Sequence, residues 1–322
     1  MAVWSNRKLW LVIFLLAAAA LGGAIYFLIL NKLSNAPENG QESSARPCLT
    51  GSKTIGIPDP NGPSYHHVYL ATSKDGLDWQ TANKMIIEQA SVPELARLND
   101  GTLFIYAVDG SGLGGPGLVY AKSQDNGETW ECGKVSDVSL GADPDVVVLP
   151  DGTIRLYYIE FPFEPGGVPT GPTKSEKPNA VKSATSLDNI NFKDEQGTRL
   201  EGVAYTDPDV LLIGNEWFMY ISAGPTAWAA KSSDGLEFKL VGQVNQSGAV
   251  SGSYVFPDGT IRHYFCGSKG IEIATSATGD SAWTRVGTAV ATDSATQKIV
   301  CDPSVVSDGE GGYLMVYKVQ PK

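Results

Sequence analysis

A chain of 322 residues, 42% hydrophobic and carrying 7 Trp, 13 Tyr and 10 Phe, holds enough apolar and aromatic material for a large core, which excludes a disordered protein. Its formal net charge of −11 opposes approach to a phosphate backbone, and no basic patch interleaved with aromatics occurs, so nucleic acid is excluded as a partner.

Residues 1–8 read as a short cytoplasmic N-terminus. Residues 9–30 then run for 22 positions without a charge or a proline, long enough to cross the hydrocarbon of a bilayer as one transmembrane helix. Arg7 and Lys8 precede this run, so the positive-inside tendency places all that follows on the extracytoplasmic side of the cell membrane. A cleaved signal peptide shares the basic start, but its apolar region is usually about 7–15 residues long. Cleavage among the small residues 17–24 would also leave an exposed apolar end, so an uncleaved anchor is expected. Residues 31–60 are polar and full of turn formers, and read as a flexible linker. The 4 cysteines, Cys48, Cys132, Cys266 and Cys301, match no CxxC metal pattern and allow three disulfide pairings, among which spacing does not choose; they also suit the role of small buried residues.

Residues 61–322 are organised by an internal repeat. One segment recurs as Ala71-Thr-Ser73-Lys-Asp75-Gly-Leu-Asp-Trp79, Ala121-Lys-Ser123-Gln-Asp125-Asn-Gly127-Glu-Thr-Trp130, Ala184-Thr-Ser186-Leu-Asp188-Asn-Ile-Asn-Phe192 and Ala230-Lys-Ser-Ser-Asp234-Gly235-Leu-Glu-Phe238, with a degenerate copy from Ala274 to Trp283. Each copy predicts a hairpin: a strand ending in Ala-x-Ser, an acidic turn, then a strand opening on a buried aromatic. A second segment alternates with it: Val92-Pro93-Glu94-Leu95, Asp143-Pro144-Asp145-Val146, Asp207-Pro208-Asp209-Val210 and Asp302-Pro303-Ser304-Val305, with Ser251-Gly252-Ser253-Tyr254 as the divergent copy. After it come a turn and a strand bearing Tyr106, Tyr157, Tyr220, Tyr264 or Tyr317. Four short strands per unit of about 50 residues, with no helical pattern after the anchor, predict an all-β, five-bladed β-propeller of four-stranded blades. Apolar runs such as Val-Val-Val-Leu at 146–149 do not alternate, as expected of blades covered on both faces. The domain begins with the second half of a unit and ends with the first half, so residues 66–80 and 301–319 are expected to complete the last blade together.

Ser123-x-Asp125-x-Gly127-x-Thr129-Trp130 resembles the Asp-box of the sialidase superfamily, while the blade count and the Asp-Pro strand starts resemble the furanosidase-type glycoside hydrolase propellers. Asp75, Asp125, Asp188 and Asp234 are expected to cap turns away from the channel. Proline tolerates only a strand position where no neighbour needs its N–H, such as the innermost edge of a blade. Asp143, Asp207 and Asp302 are therefore expected where three different blades meet the channel. Carboxylates converging there repel one another, which supplies the acid and the base that glycoside cleavage needs. The alternative is that they accept hydrogen bonds from the next blade and fix the strand starts. The resemblance implies an Asp base, a second Asp that tunes and orients, and a Glu acid: Asp143 or Asp302 for the base, Asp207 for the tuning residue, Glu94 for the proton donor. Asp145 and Asp209 join them as substrate-binding residues, and Glu160 and Glu201 compete with Glu94.

A sialidase needs three converging arginines, but Arg155 and Arg262 occupy equivalent Asp-Gly-Thr-Ile-Arg turns and read as scaffold. His66, His67 and His263 do not form a metal cluster, and Gly110 to Gly117 precedes a strand and so is no phosphate loop. No cofactor is expected beyond a structural calcium at Asp143, Asp145, Asp207 and Asp209. The insertion at 161–172 is expected to wall the site. Together these readings give a membrane-anchored glycosidase acting on a carbohydrate. A non-catalytic carbohydrate- or protein-binding propeller is the first alternative, a sialidase-like enzyme the second.

Overall fold

The computed structural model describes residues 46–51, 60–113, 117–136, 138, 141–161, 177–281 and 283–322. The expected cytoplasmic segment, the expected anchor at 9–30 and most of the insertion at 161–172 lie outside them. Among the described residues, no helix is long and apolar enough to cross a membrane.

A single 3-10 turn at Pro63–Tyr65 leads into β1 (His67–Ser73) and β2 (Trp79–Glu88). Three runs of four strands follow in order. The first is β3 (Ala90–Arg97), β4 (Leu103–Asp109), β5 (Leu118–Ser123) and β6 (Glu131–Lys134). The second is β7 (Ala142–Val148), β8 (Ile154–Glu160), β9 (Asn179–Ser186) and β10 (Lys193–Asp194), with β11 (Leu200–Gly202) also pairing β9. The third is β12 (Tyr205–Ile213), β13 (Glu216–Ala223), β14 (Thr226–Ser232) and β15 (Lys239–Asn245). A fourth run, β16 (Ala249–Val255), β17 (Ile261–Gly267), β18 (Gly270–Ser276) and β19 (Thr284–Ala291), precedes β20 (Gln297–Ser307) and β21 (Tyr313–Pro321). The last sheet has the order β20-β21-β1-β2, with β1 pairing β21 from His67↔Val319 to Ser73↔Tyr313. Five sheets result, and the fifth is built from both ends of the domain, as the half-units predict.

β3, β7, β12, β16 and β20 contact one another in a closed ring and wall the central channel. Apolar clusters lie between successive sheets rather than within one. Phe104 and Leu118 of the first blade, for example, share a cluster with Leu156 and Ile154 of the second. Both faces of each sheet are buried by this arrangement, which accounts for the unbroken Val run in β7.

The repeated tyrosines stitch the ring. The hydroxyls of Tyr106, Tyr157, Tyr220 and Tyr264 donate to the backbone carbonyls of Asn189, Gly235, Gly279 and Gly76, each in the acidic turn of the following blade. Within those turns the aspartate is a local cap: Asp75 Oδ1 accepts from the N–H groups of Leu77 and Asp78, and Asp234 Oδ1 from those of Leu236 and Glu237. Arg262 lies 3.6 Å over the Phe256 ring and donates to the Asp75 carbonyl, and Arg155 reaches the Asp234 carbonyl at 3.3 Å and Glu195 at 2.9 Å. Tyr264 is fully buried, so Tyr264→Phe leaves the Gly76 carbonyl without a donor. A loss of about 1–3 kcal/mol is expected in urea unfolding; an unchanged midpoint would show that this stitch does not stabilise the ring.

Two disulfides flank the closing blade. Residues 46–51, inside the stretch read as linker, pack on the propeller: the Glu88 N–H of β2 donates to the Cys48 carbonyl at 2.8 Å, and Cys48 is bonded to Cys132 of β6. Buried Arg46 lies beside Asp109 at 3.3 Å and donates to the Glu88 carbonyl. On the other side Cys266, near the end of β17, is bonded to Cys301 of β20. The closing blade is thus bonded covalently to the fourth blade through Cys301, while on its other side the segment hydrogen-bonded to β2 is bonded to the first blade.

Candidate functional site

All five innermost strands carry the same irregularity near their start. Val92, Asp143, Asp207, Val250 and Asp302 have φ between 49° and 56°, and at each the pairing with the next strand slips. Positive φ is costly for a residue with a side chain, and more so for Val than for Asp. A bulge of this kind bends the strand and re-aims its side chain, and in the four strands where a proline follows it is left unpaired, so its missing N–H costs the ladder nothing; in β16 the following Ser251 is paired. Local strain is repeated at every blade on one rim of the channel.

There the structure brings Asp143, Asp207 and Asp302 together. The Asp207 N–H donates to Asp143 Oδ2 at 3.4 Å. Asp302 is buried and ion-paired with Lys318 of β21. Asp143 and Asp207 are half-buried, with part of their surface open. Burial pushes the Asp143 carboxyl up to about 6, with Asp302 adding to the rise and the Asp207 N–H and Lys318 opposing it. Burial, then the charges of Asp143 and Asp302, pushes Asp207 well above the usual carboxylate range. The result is a pair of neighbouring carboxyls, both raised above the usual range, beside an ion pair.

Glu94, Asp145 and Asp209 form a deeper layer, two residues further along their strands. Burial raises Glu94 and Asp145 well above their usual range, and each is raised further by the next carboxylate, Asp145 for Glu94 and Asp209 for Asp145. Asp209 is raised by burial against three opposing hydrogen bonds from the following blade: Ser251 Oγ at 2.7 Å, Ser253 Oγ at 2.6 Å and the Ser253 N–H at 3.0 Å. Ser304 of the closing blade bonds the Glu94 carboxyl, and its Oγ also accepts from the Leu95 N–H at 2.9 Å. The deeper layer therefore joins neighbouring strands. Glu94, read from the sequence as proton donor, stands in this layer rather than with the Asp143 group. Glu160 and Glu201 are exposed, and Glu160 lies 3.7 Å from Lys182.

Lys318 escaped the sequence reading, although the repeat carries a signal for it. The residue after the blade tyrosine is Ala107, Tyr158, Ile221, Phe265 and Lys318, so one blade alone puts a charge at this place. His66 is buried beside the same rim, with Nδ1 2.9 Å from Ser91 Oγ; burial first and the Lys318 charge second hold it down at about 3, so the ring is neutral. Among the described residues, the metal-ligand grouping is Cys266, Cys301 and Asp302, whose cysteines are consumed in a disulfide. Carboxylate oxygens of Asp143, Asp145, Asp207 and Asp209 do not converge in threes within 4.8 Å, so they do not fit a calcium held directly by protein oxygens.

No protein-family model and no curated protein matches the chain. Solved structures do match. A protein of unknown function from Dyadobacter fermentans aligns with a TM-score of 0.52 at 14% identity, over 85% of this chain and 88% of that one. A thermostable family-43 glycoside hydrolase aligns with a TM-score of 0.53 at 14% identity, over 72% of this chain and 86% of that one. An α-L-arabinofuranosidase from Fusarium graminearum, in complex with an iminosugar inhibitor, aligns with a TM-score of 0.51 at 12% identity, over 72% of this chain and 93% of that one. At these identities the likeness establishes the fold: a five-bladed β-propeller with structural neighbours among glycoside hydrolases.

Proposed function

We propose that this chain is a membrane-anchored, extracytoplasmic glycoside hydrolase whose catalytic carboxyls stand at the strand-start mouth of the propeller. The observation that carries the reading is the convergence of Asp143, Asp207 and Asp302 from three blades, with the first two carboxyls raised above the usual range. Asp207, raised well above the usual carboxylate range by burial and its acidic neighbours, is suited to protonate the leaving glycosidic oxygen. Asp143, ionised above about 6, is suited to act as base or nucleophile at the anomeric carbon. Asp302, paired with Lys318, stands beside them and adds to the rise of the Asp207 carboxyl. Furanoside-linked chains are the first substrates to try, because one structural neighbour is an arabinofuranosidase. The uncharged run at 9–30 supports the anchor, and the two disulfides suit an oxidising compartment.

The second reading is a carbohydrate-binding module without turnover. It is favoured by the Asp207 N–H donating to Asp143, since the deeper layer uses such bonds as scaffold. A sialidase-like site is disfavoured, because Arg155 and Arg262 are engaged at the acidic turns.

The test is hydrolysis of chromogenic furanosides, pyranosides and sialosides across the pH range. The account predicts a bell: kcat/KM rises as pH passes about 6, where Asp143 ionises, and falls again as Asp207 gives up its proton. No turnover from a folded protein that still retains glycans would favour the binding module.

A further inference from the structure

The channel holds a second space whose chemistry differs from that of the aspartate mouth. A cavity of about 540 Å³ extends from Glu94, Asp145 and Asp209 toward the opposite ends of the innermost strands, where Asn99, Pro150 and Ser307 line it. Its inner end is acidic and its sides are aliphatic, with Val148, Leu212 and Val306 among them. Asp209 is occupied by the serines of the next blade. Asp145 is occupied only in part: the Val210 N–H donates to its carboxyl, it is 4% exposed, and its buried Oδ2 has no hydrogen-bond partner. An orphaned buried acceptor of this kind costs free energy until a donor reaches it. Arg97, which also lines the cavity, is held at 2.8 Å by Asn126 Oδ1.

We propose that this cavity is a binding site for a small organic cation with an apolar body, a primary alkylammonium, whose N–H groups donate to Asp145 Oδ2 and the Glu94 carboxylate while its alkyl part lies on the Val and Leu side chains. A metal ion held directly by protein is a poorer fit, because a hard cation takes six to eight oxygens and three carboxylate oxygens do not converge here within 4.8 Å. The cavity also exceeds what a single ion needs, and its aliphatic sides give nothing to a hydrated one.

Occupancy is coupled to protons. In the empty protein, burial and neighbouring carboxylates favour the neutral forms of Glu94 and Asp145, and a bound cation favours the charged forms, so binding releases protons and strengthens as pH rises. The groups facing the pair are Asp209 from β12, Ser253 from β16 and Ser304 from β20. His263 of β17 lies behind Asp209 at 3.8 Å and is held neutral, at about 3, by its burial.

The experiment is calorimetric titration of the full-length chain, in detergent, with n-butylammonium chloride, beside n-butanol and calcium chloride. The expected result is saturable binding of butylammonium that tightens from about pH 6 to 8 with proton release, no response to butanol, and at least about tenfold weaker binding in Asp145→Asn and in Glu94→Gln. Both substitutions are isosteric, and a cooperative thermal transition in each verifies folding. The proposal is overturned by the absence of saturable binding in the wild-type chain, by an equal response to butanol, or by saturable calcium binding in place of butylammonium. Butylammonium binding lost in Asp207→Asn but kept in Asp145→Asn would place the cation at the other mouth and overturn it equally.

Discussion

Asp207→Asn is expected to lower turnover of a glycoside substrate by about 10²–10⁴-fold, the range for loss of a general acid, and at the same time to make the folded protein more stable at neutral pH. The second half of this expectation follows from the sign of the pKa shift. Asp207 is raised by burial and by its two acidic neighbours, so its proton is held more tightly in the folded than in the unfolded chain. Such a group adds no penalty below its unfolded pKa; the penalty grows as pH rises toward the folded pKa and is fully present above it. An asparagine cannot ionise and escapes the penalty.

The same reasoning gives a magnitude for Asp143. A carboxyl moved from its ordinary value of 3.8 to about 6 corresponds to up to about 3 kcal/mol. Asp143→Asn should gain up to that amount above pH 6 and almost nothing about one pH unit below the ordinary value of 3.8, where the native carboxyl is neutral in both states. Urea unfolding at neutral and acid pH, alongside activity, separates the two readings of these aspartates. A site residue loses activity and gains stability on substitution. A scaffold residue loses stability, so a fall in unfolding midpoint at pH 7 for both variants would assign them to strand fixation.

The second large effect concerns the seam of the ring. Replacing Cys48 and Cys132 together by serine is expected to cost about 2–4 kcal/mol of unfolding free energy. The bond spans a sequence separation of 84 residues, and it joins the segment hydrogen-bonded to β2 with β6 of the first blade. Every other blade is a continuous stretch of chain, whereas the closing blade depends on strands from both ends of the domain finding each other. The bond does not span that closure, which joins β1 to β21; it ties residues 46–51 to the first blade and removes freedom from the loop it closes in the unfolded chain. Thermal or urea unfolding under non-reducing conditions reads the effect, and a double variant as stable as the wild type would show that residues 46–51 hold to β2 without the covalent link.

Much of the fold was legible because it is repeated. Five acidic turns, five tyrosine strands and a half-unit at each end are local signals, and they sufficed to count the blades and to pair residues 66–80 with 301–319. The bulges were legible only in part. Asp-Pro marked the innermost strand correctly, but the left-handed backbone at Val92 and Val250 goes against the preference of β-branched residues and is imposed by the ring. The depth ordering of the carboxyls was hidden for the same reason: alternation places Asp143 and Asp145 on one face, and the bulge between them sets them in different layers. The cysteine pairing depended on which blades become neighbours on closure, which spacing along the chain does not encode. Lys318 was visible as a break in the repeat, the single charge following a blade tyrosine.

The most direct test of the account is diffraction from crystals soaked with an iminosugar glycosidase inhibitor. The account predicts the sugar ring at the strand-start mouth, its ring nitrogen within hydrogen-bonding distance of the Asp143 or Asp207 carboxylate and Asp302 still paired with Lys318. An inhibitor bound elsewhere on the propeller, with those three aspartates untouched, would contradict the assignment of this mouth as the catalytic site.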